Sequence, residues 1–302
     1  MSQRELVVLG TASQVPTRDR NHNGYLLRWD GEGLLFDPGE GTQRQFTLAG
    51  VAPTSVTRIC LTHLHGDHCL GLPGMLQRLS LDRVPHPVDL YFPASAAAHV
   101  ERLRRAAMFE EAIEVRPHPC REGAVATAPP FDLVARRLEH RVDTLGWRVE
   151  EPPGRRMLPD RLEAAGVRGP DIGRLQREGT IEAGGRRVTV EEVSEPRPGQ
   201  RFAFVMDTAL CEAAFELAAE ADLLVCEATF LSRDQELARR YGHLTAAQAA
   251  RIAAEAGARR LVLTHFSQRY ADADAFHAEA APIFPDVVVA RDLDRVAVPP
   301  RR

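Results

Sequence analysis

The 302-residue sequence contains no lysine, so all 38 of its basic residues are arginine. A G+C-rich genome produces that bias. Its chemical consequence is that cationic contacts to phosphate fall to guanidinium groups, whose planar fork suits them. Cysteine is also sparse: five residues (60, 69, 120, 211 and 226), odd in number and without a Cys-x-x-Cys pair, argue against a disulfide framework. Cys60 and Cys226 sit inside apolar strand-like runs, where cysteine behaves as a small core residue. No uninterrupted apolar run approaches the roughly 18 residues of a membrane-spanning helix. The N-terminus reaches Gly10 after only four apolar residues, Leu6-Val7-Val8-Leu9, too short a core for a signal peptide, which predicts a cytoplasmic protein without membrane attachment. Basic excess is missing too. The 42 acids outnumber the bases, and the net charge of −4 argues against a strongly basic nucleic-acid binder.

What is present is an ordinary globular balance, 44% hydrophobic and 26% charged, on a chain long enough for one large α/β domain or two smaller ones. Short apolar runs predict strands at 5–9, 25–29, 34–37, 59–62, 88–92, 133–139, 202–206, 223–226, 261–264 and 287–290. Helical patterns fall at 42–48, 70–81, 95–108, 210–220 and 245–256, the last with Thr245 as an N-cap. Their alternation predicts sheets covered by helices. Between Pro152 and Arg187 the pattern stops: Pro, Gly and Arg dominate, and eight arginines oppose five acids, a local net of +3. Thirty-six residues are too many for an ordinary connection. The stretch reads either as a solvated insertion or as an arm that touches a polyanion.

Three of the eleven histidines lie within six residues, in Thr62-His63-Leu64-His65-Gly66-Asp67-His68. This run follows an apolar strand and precedes a helical segment, the position from which side chains reach the crevice at a sheet's carboxyl edge. His63 and His65 share one face by strand alternation, while Asp67 and His68 turn elsewhere, so the motif can serve two metals. Imidazole and carboxylate suit zinc, with manganese or iron as alternatives. Further ligands are sought at other strand ends: His140, Asp207 and His265 each follow an apolar or alternating run.

These residues together resemble the metallo-β-lactamase fold pattern and, within it, the ribonuclease Z family of tRNA 3′-end processing endonucleases. The resemblance extends over about residues 5–292. It includes the opening loop Gly10–Asn21, the segment Phe36-Asp37-Pro38-Gly39-Glu40-Gly41-Thr42-Gln43, Leu70–Gly74 after the histidine motif, Glu227-Ala228-Thr229, and Thr264–Tyr270. Two departures are Cys226, where the family has histidine, and Met206, where it usually has glycine.

The resemblance implies an αβ/βα sandwich, two zinc ions per subunit (Mn2+ or Fe2+ as alternatives), a homodimer, and precursor tRNA as substrate. It places His63, His65 and His140 on one metal and Asp67, His68 and His265 on the other, with Asp207 bridging. Asp67 is the implied general base, and Glu227 with His243 the pair that protonates the departing 3′ oxygen. Ser267 and Arg269 are candidates to hold the scissile phosphate. Residues 152–187 correspond to the family's flexible tRNA-gripping arm, inserted in a single domain spanning 1–302. The same centre also serves lactonases, arylsulfatases and small phosphodiesterases, and a non-catalytic tRNA-binding homologue is a further alternative. The arginine-rich arm favours RNA among these, because it gathers positive charge where phosphate must dock.

Overall fold

The computed structural model describes residues 4–128 and 130–301. The strands in chain order are β1 (Arg4–Gly10), β2 (Gly24–Trp29), β3 (Glu32–Phe36), β4 (Arg58–Cys60), β5 (Val88–Pro93), β6 (Val115–Cys120), β7 (Gly123–Ala128), β8 (Phe131–Leu138), β9 (Thr144–Glu150), β10 (Gly154–Met157), β11 (Thr180–Ala183), β12 (Arg186–Thr189), β13 (Ser194–Arg197), β14 (Arg201–Val205), β15 (Leu223–Glu227), β16 (Leu261–Thr264), β17 (Val287–Val289) and β18 (Arg295–Ala297). The helices are α1 (Thr42–Leu48), α2 (Gly66–Cys69), α3 (Leu72–Leu81), α4 (Ala97–Arg104), α5 (Pro159–Ala164), α6 (Pro170–Glu178), α7 (Glu212–Ala218), α8 (Gln235–Tyr241), α9 (Ala246–Glu255) and α10 (Asp274–Ala280). No helix among the described residues is long and apolar enough to cross a membrane.

Residues 1–150 and 201–299 form one unit, built on two seven-stranded sheets. Their orders are β18-β1-β2-β3-β4-β5-β6 and β17-β16-β15-β14-β9-β8-β7. Strand alternation sorts the apolar side chains into three layers. Leu6, Val8, Tyr25 and Phe36 of the first sheet meet Trp147, Phe202, Phe204 and Val225 of the second. Phe36 stacks on Phe204 at 4.8 Å, and Tyr25 meets the same ring edge-on at 5.2 Å. The opposite faces, with Val7, Leu9 and Leu35 on one sheet and Ala203, Leu224 and Leu263 on the other, are covered by helices. The result is the αβ/βα sandwich. Helix α9 starts as expected: Thr245 accepts the Gln248 amide N–H while the Gln248 side chain accepts the Thr245 N–H, a reciprocal cap.

Several elements differ from the sequence reading. The helix expected at 70–81 is α3, beginning at Leu72 with Pro73 in its first turn, and the unexpected short helix α2 before it carries Asp67 and His68. The one expected over 95–108 shrinks to α4. Strands β6, β7, β9 and β18 carried no strand signal in the sequence, and β6 and β7 are sheet edges, where Pro117 and Pro119 of β6 are tolerated.

Residues 151–200, with 300 and 301, form a second unit. The stretch singled out at 152–187 lies within this unit, which runs on to Gln200 and is built of regular elements. β10 pairs with β13, β11 pairs with β12, and α5 and α6 lie between these pairings in sequence. Leu162, Val167, Leu175, Ile181, Val188 and Val193 make a small core of its own. The β11–β12 turn uses Gly184 and Gly185 at φ 58° and 73°, a two-residue hairpin turn that non-glycine residues adopt with strain.

Candidate active site

Six strand ends of the first unit open on one cleft. Asp37 follows β3, the histidine motif follows β4, His140 follows β8, and Asp207, Glu227 and His265 lie at or past the ends of β14, β15 and β16. Three of these residues take left-handed backbone: Asp37 at φ 44°, Asp207 at 46° and His265 at 63°. Such conformations are costly for non-glycine residues and collect at functional sites. The Pro38–Gly41 loop packs its backbone directly on the histidine motif. A β-carbon on Gly39 would lie 2.2 Å from the Asp67 carbonyl oxygen, so only glycine permits that approach.

The ligating atoms form three overlapping groups, one of them Asp207, His243 and His265, and the other two divide the predicted ligands. His63, His65, His140 and Asp207 offer atoms all within 4.8 Å of one another, and so do Asp67, His68 and His265. Asp207 faces both. Its Oδ2 is 3.6 Å from His63 Nε2 and 3.7 Å from His140 Nε2, while its Oδ1 is 3.3 Å from His68 Nε2 and 3.1 Å from His265 Nε2. Asp67 Oδ2 completes the second set at 3.3 Å from His68 Nε2 and 3.4 Å from His265 Nε2.

Neither Asp207 Oδ1 nor His265 Nε2 makes a hydrogen bond, although both are buried and lie close together. Unsatisfied buried polar atoms are costly, and a shared cation satisfies them. The donor set, imidazole nitrogens and carboxylate oxygens, therefore fits divalent cations of the zinc type.

The ring orientations support the same conclusion. His140 Nδ1–H donates to the Gly242 carbonyl at 2.9 Å, and His68 Nδ1–H donates to Asp37 Oδ2 at 2.8 Å. His63 Nδ1–H donates to Thr62 Oγ1 at 3.0 Å, which in turn donates to Asp37 at 2.7 Å. His265 Nδ1–H donates to Thr229 Oγ1 at 2.7 Å, and Thr229 passes its own hydroxyl hydrogen to Glu227 at 2.5 Å. These bonds orient each ring with Nε2 toward Asp207, the arrangement by which outer residues fix metal-binding histidines. The motif-based reading placed the inner ring and assigned nothing to Asp37, Thr62 or Thr229. Asp37 did carry one signal, a lone carboxylate at the end of an apolar strand.

Electrostatics divide the histidines. Burial, with like-charged neighbours, pulls His63, His65 and His140 below the ordinary imidazole range, which keeps their rings neutral. Burial pushes His68 in the same direction, but Asp207, Asp67 and Asp37 outweigh it and hold the ring charged. Burial would raise Asp67 and Asp207; neighbouring histidines hold both below the carboxylate range instead. A divalent cation neutralises the same carboxylates that otherwise force a proton onto His68.

A second pair lies beside the ligands. Glu227, fully buried, accepts the Thr208 N–H at 2.7 Å and faces His243 Nδ1 at 3.0 Å. Burial works against a charged His243, yet Glu227 first and Asp207 second push it up to about 9. The cleft, about 540 Å³, is also lined by Ser267, Gln268 and Arg269. Ser267 Oγ accepts the Arg269 N–H at 3.4 Å, and the exposed Arg269 guanidinium has no ion-pair partner among the described residues.

The metallo-β-lactamase superfamily model matches residues 17–200. Over its whole length the chain is 63% identical to ribonuclease Z of Nocardia farcinica, with 100% of both chains covered. The chain belongs to the ribonuclease Z family. It is 59% identical to the Streptomyces coelicolor ribonuclease Z over 100% of both chains, and 50% identical to that of Chlamydia pneumoniae over 97% of this chain and 95% of the relative. Its structure is similar to that of human tRNase Z, short form, at a TM-score of 0.72 and 26% identity, covering 98% of this chain and 99% of the human one.

The two departures from the ribonuclease Z motifs leave the site unaltered. Cys226 is fully buried in the layer between sheet and helices, and Met206 in the layer between the sheets. Glu227 is oriented by Thr208, Thr229 and His243, without any contribution from position 226.

Proposed function

We infer that this chain is a metal-dependent endoribonuclease that removes the 3′ trailer from precursor tRNA by phosphodiester hydrolysis, leaving a 3′-hydroxyl on the tRNA. The observation that carries this reading is full-length identity to ribonuclease Z relatives combined with a cleft in which the two oxygens of Asp207 face two separate sets of donors. We assign His63, His65 and His140 as the residues that would hold one cation and Asp67, His68 and His265 as those that would hold another, with Asp207 available to both. The donor chemistry favours two zinc ions per subunit. The family resemblance further supports a homodimer working in the cytoplasm.

Bound divalent cations supply Lewis acidity toward phosphoryl oxygens and make a water acidic enough to attack at neutral pH. The chain's own groups handle the protons and the substrate. The Asp67 carboxylate accepts the proton of the attacking water. As the new P–O bond forms and the P–O3′ bond breaks, His243, kept charged by Glu227, delivers a proton to the departing 3′ oxygen. The Ser267 hydroxyl and Arg269 guanidinium hold the scissile phosphate in place. The second unit is the arm that grips the tRNA away from the cut. Arg161, Arg177 and Arg187 support this role, because their guanidiniums have no carboxylate partner among the described residues and remain available to phosphate.

The test is cleavage of two end-labelled precursor tRNAs, with and without an encoded CCA, by the metal-loaded protein. A single cut yielding tRNA with a 3′-hydroxyl and a trailer with a 5′-phosphate is expected. Intact precursor alongside hydrolysis of a small phosphodiester would overturn the reading in favour of a small-substrate hydrolase.

A further inference from the structure

The wall of the cleft beside His140 and His243 carries a group that the reaction so far leaves without a role. Tyr241, the last residue of α8, lines the cleft and is only partly buried. Its ring lies nearly parallel to Phe230, at 6.5 Å and 13° between planes. The guanidinium carbons of Arg141 and Arg240 each sit 5.7 Å from its centroid, within cation–π range. Both arginines are exposed, and neither has an ion-pair partner among the described residues. The Tyr241 hydroxyl likewise has no hydrogen-bond partner among the described residues, so its hydrogen-bonding does not explain its place. A half-open aromatic ring flanked by free guanidiniums matches the way proteins hold an unpaired nucleotide: the base stacks on the ring and the cations meet the backbone.

The position of this ring identifies the nucleotide. Gly242 alone separates Tyr241 from His243, and its carbonyl accepts the His140 Nδ1–H. Phe230 is 6.1 Å from the His243 ring, so one aromatic wall runs from the acid to Tyr241. His243 must touch the 3′ oxygen that leaves, and that oxygen belongs to the last nucleotide retained on the tRNA. We propose that Tyr241, backed by Phe230 and flanked by Arg141 and Arg240, is the stacking platform for the base of that nucleotide, immediately 5′ of the cut. The proposal rests on the ribonuclease reading above.

The test is a cycle between protein and substrate. Wild type, Tyr241→Ala and Tyr241→Phe are assayed on precursor tRNA carrying the natural base, or an abasic residue, at the position 5′ of the cut. A third substrate is abasic at the first trailer nucleotide. Removing the ring and removing the base delete the same contact, so their penalties do not add. On the natural substrate Tyr241→Ala is expected to lower kcat/KM about 5- to 100-fold, the range of one base–aromatic stack. On the substrate abasic 5′ of the cut the same change is expected to cost less than about twofold, by the same non-additivity. Tyr241→Phe is expected to retain wild-type discrimination. Equal losses on the natural substrate and the one abasic 5′ of the cut overturn the proposal, and coupling to the trailer-side position overturns the choice of nucleotide. A wild-type protein that cuts none of the three substrates overturns the ribonuclease reading and this inference with it.

Discussion

Asp37 accepts the His68 Nδ1–H at 2.8 Å with both side chains fully buried, joining residues that lie 31 positions apart in the chain. Its other oxygen accepts the Thr62 backbone N–H at 2.7 Å, and Thr62 in turn receives His63. One carboxylate outside the ligand sets thus orients a histidine in each of them.

Asp37→Asn is therefore expected to weaken metal binding about 10- to 100-fold, the usual cost of losing an outer partner of a metal-bound histidine. Asparagine tolerates the left-handed backbone at this position, which keeps the loop intact. Competition with a chelator measures the affinity, and circular dichroism checks the fold. Unchanged affinity would show that Asp37 supports the loop alone.

Asp67→Ala is expected to abolish most precursor cleavage, a loss of at least about 100-fold for a general base, with the fold intact. Cleavage at the wild-type rate with a normal metal content would remove Asp67 from that role.

Glu150 and Arg201 are cross-strand partners in β9 and β14, so the chain leaves and re-enters the first unit at one place. Replacing residues 152–199 with a short Asn-Gly turn closes that pair as a hairpin. Precursor tRNA binding is expected to weaken, while hydrolysis of bis(p-nitrophenyl) phosphate persists. Equal loss on both substrates would mean that the arm supports the cleft and does not grip RNA.

His243 provides a pH signature. In chelator-treated protein its ring is held up to about 9 by Glu227 and Asp207 against the effect of burial. The ordinary imidazole value is about 6.5. A raised folded value means that the ion pair's stabilisation is complete below about 6.5 and is lost as pH rises through about 9. An NMR titration of the ring is expected to show this elevated value, and Glu227→Gln to bring it down. A wild-type ring titrating near 6.5 contradicts the pairing.

The candidate metal ligands were legible because each carries two local signals, a metal-binding side chain and a place just past an apolar or alternating run. His63, His65, Asp67, His68, His140, Asp207 and His265 all satisfy both. The small core of residues 151–200 was not legible. Leu162, Val167, Leu175, Ile181 and Val188 are spaced too widely, on elements too short, for any helical or strand period to emerge. The edge strands β6 and β7 failed for a related reason, since edges accept proline and small residues that central strands exclude.

The sequence by itself determined the kind of chemistry and the class of fold, because ligand identity and strand-end position are properties of a few adjacent residues. Only the tertiary structure decided that Asp37, Thr62 and Thr229 hold the rings and that Tyr241 stands beside the acid. Those relationships join residues as far apart in the chain as Asp37 and His68, or Thr229 and His265. They arise because two sheets pack face to face through Phe36 and Phe204, bringing their carboxyl edges together at one cleft.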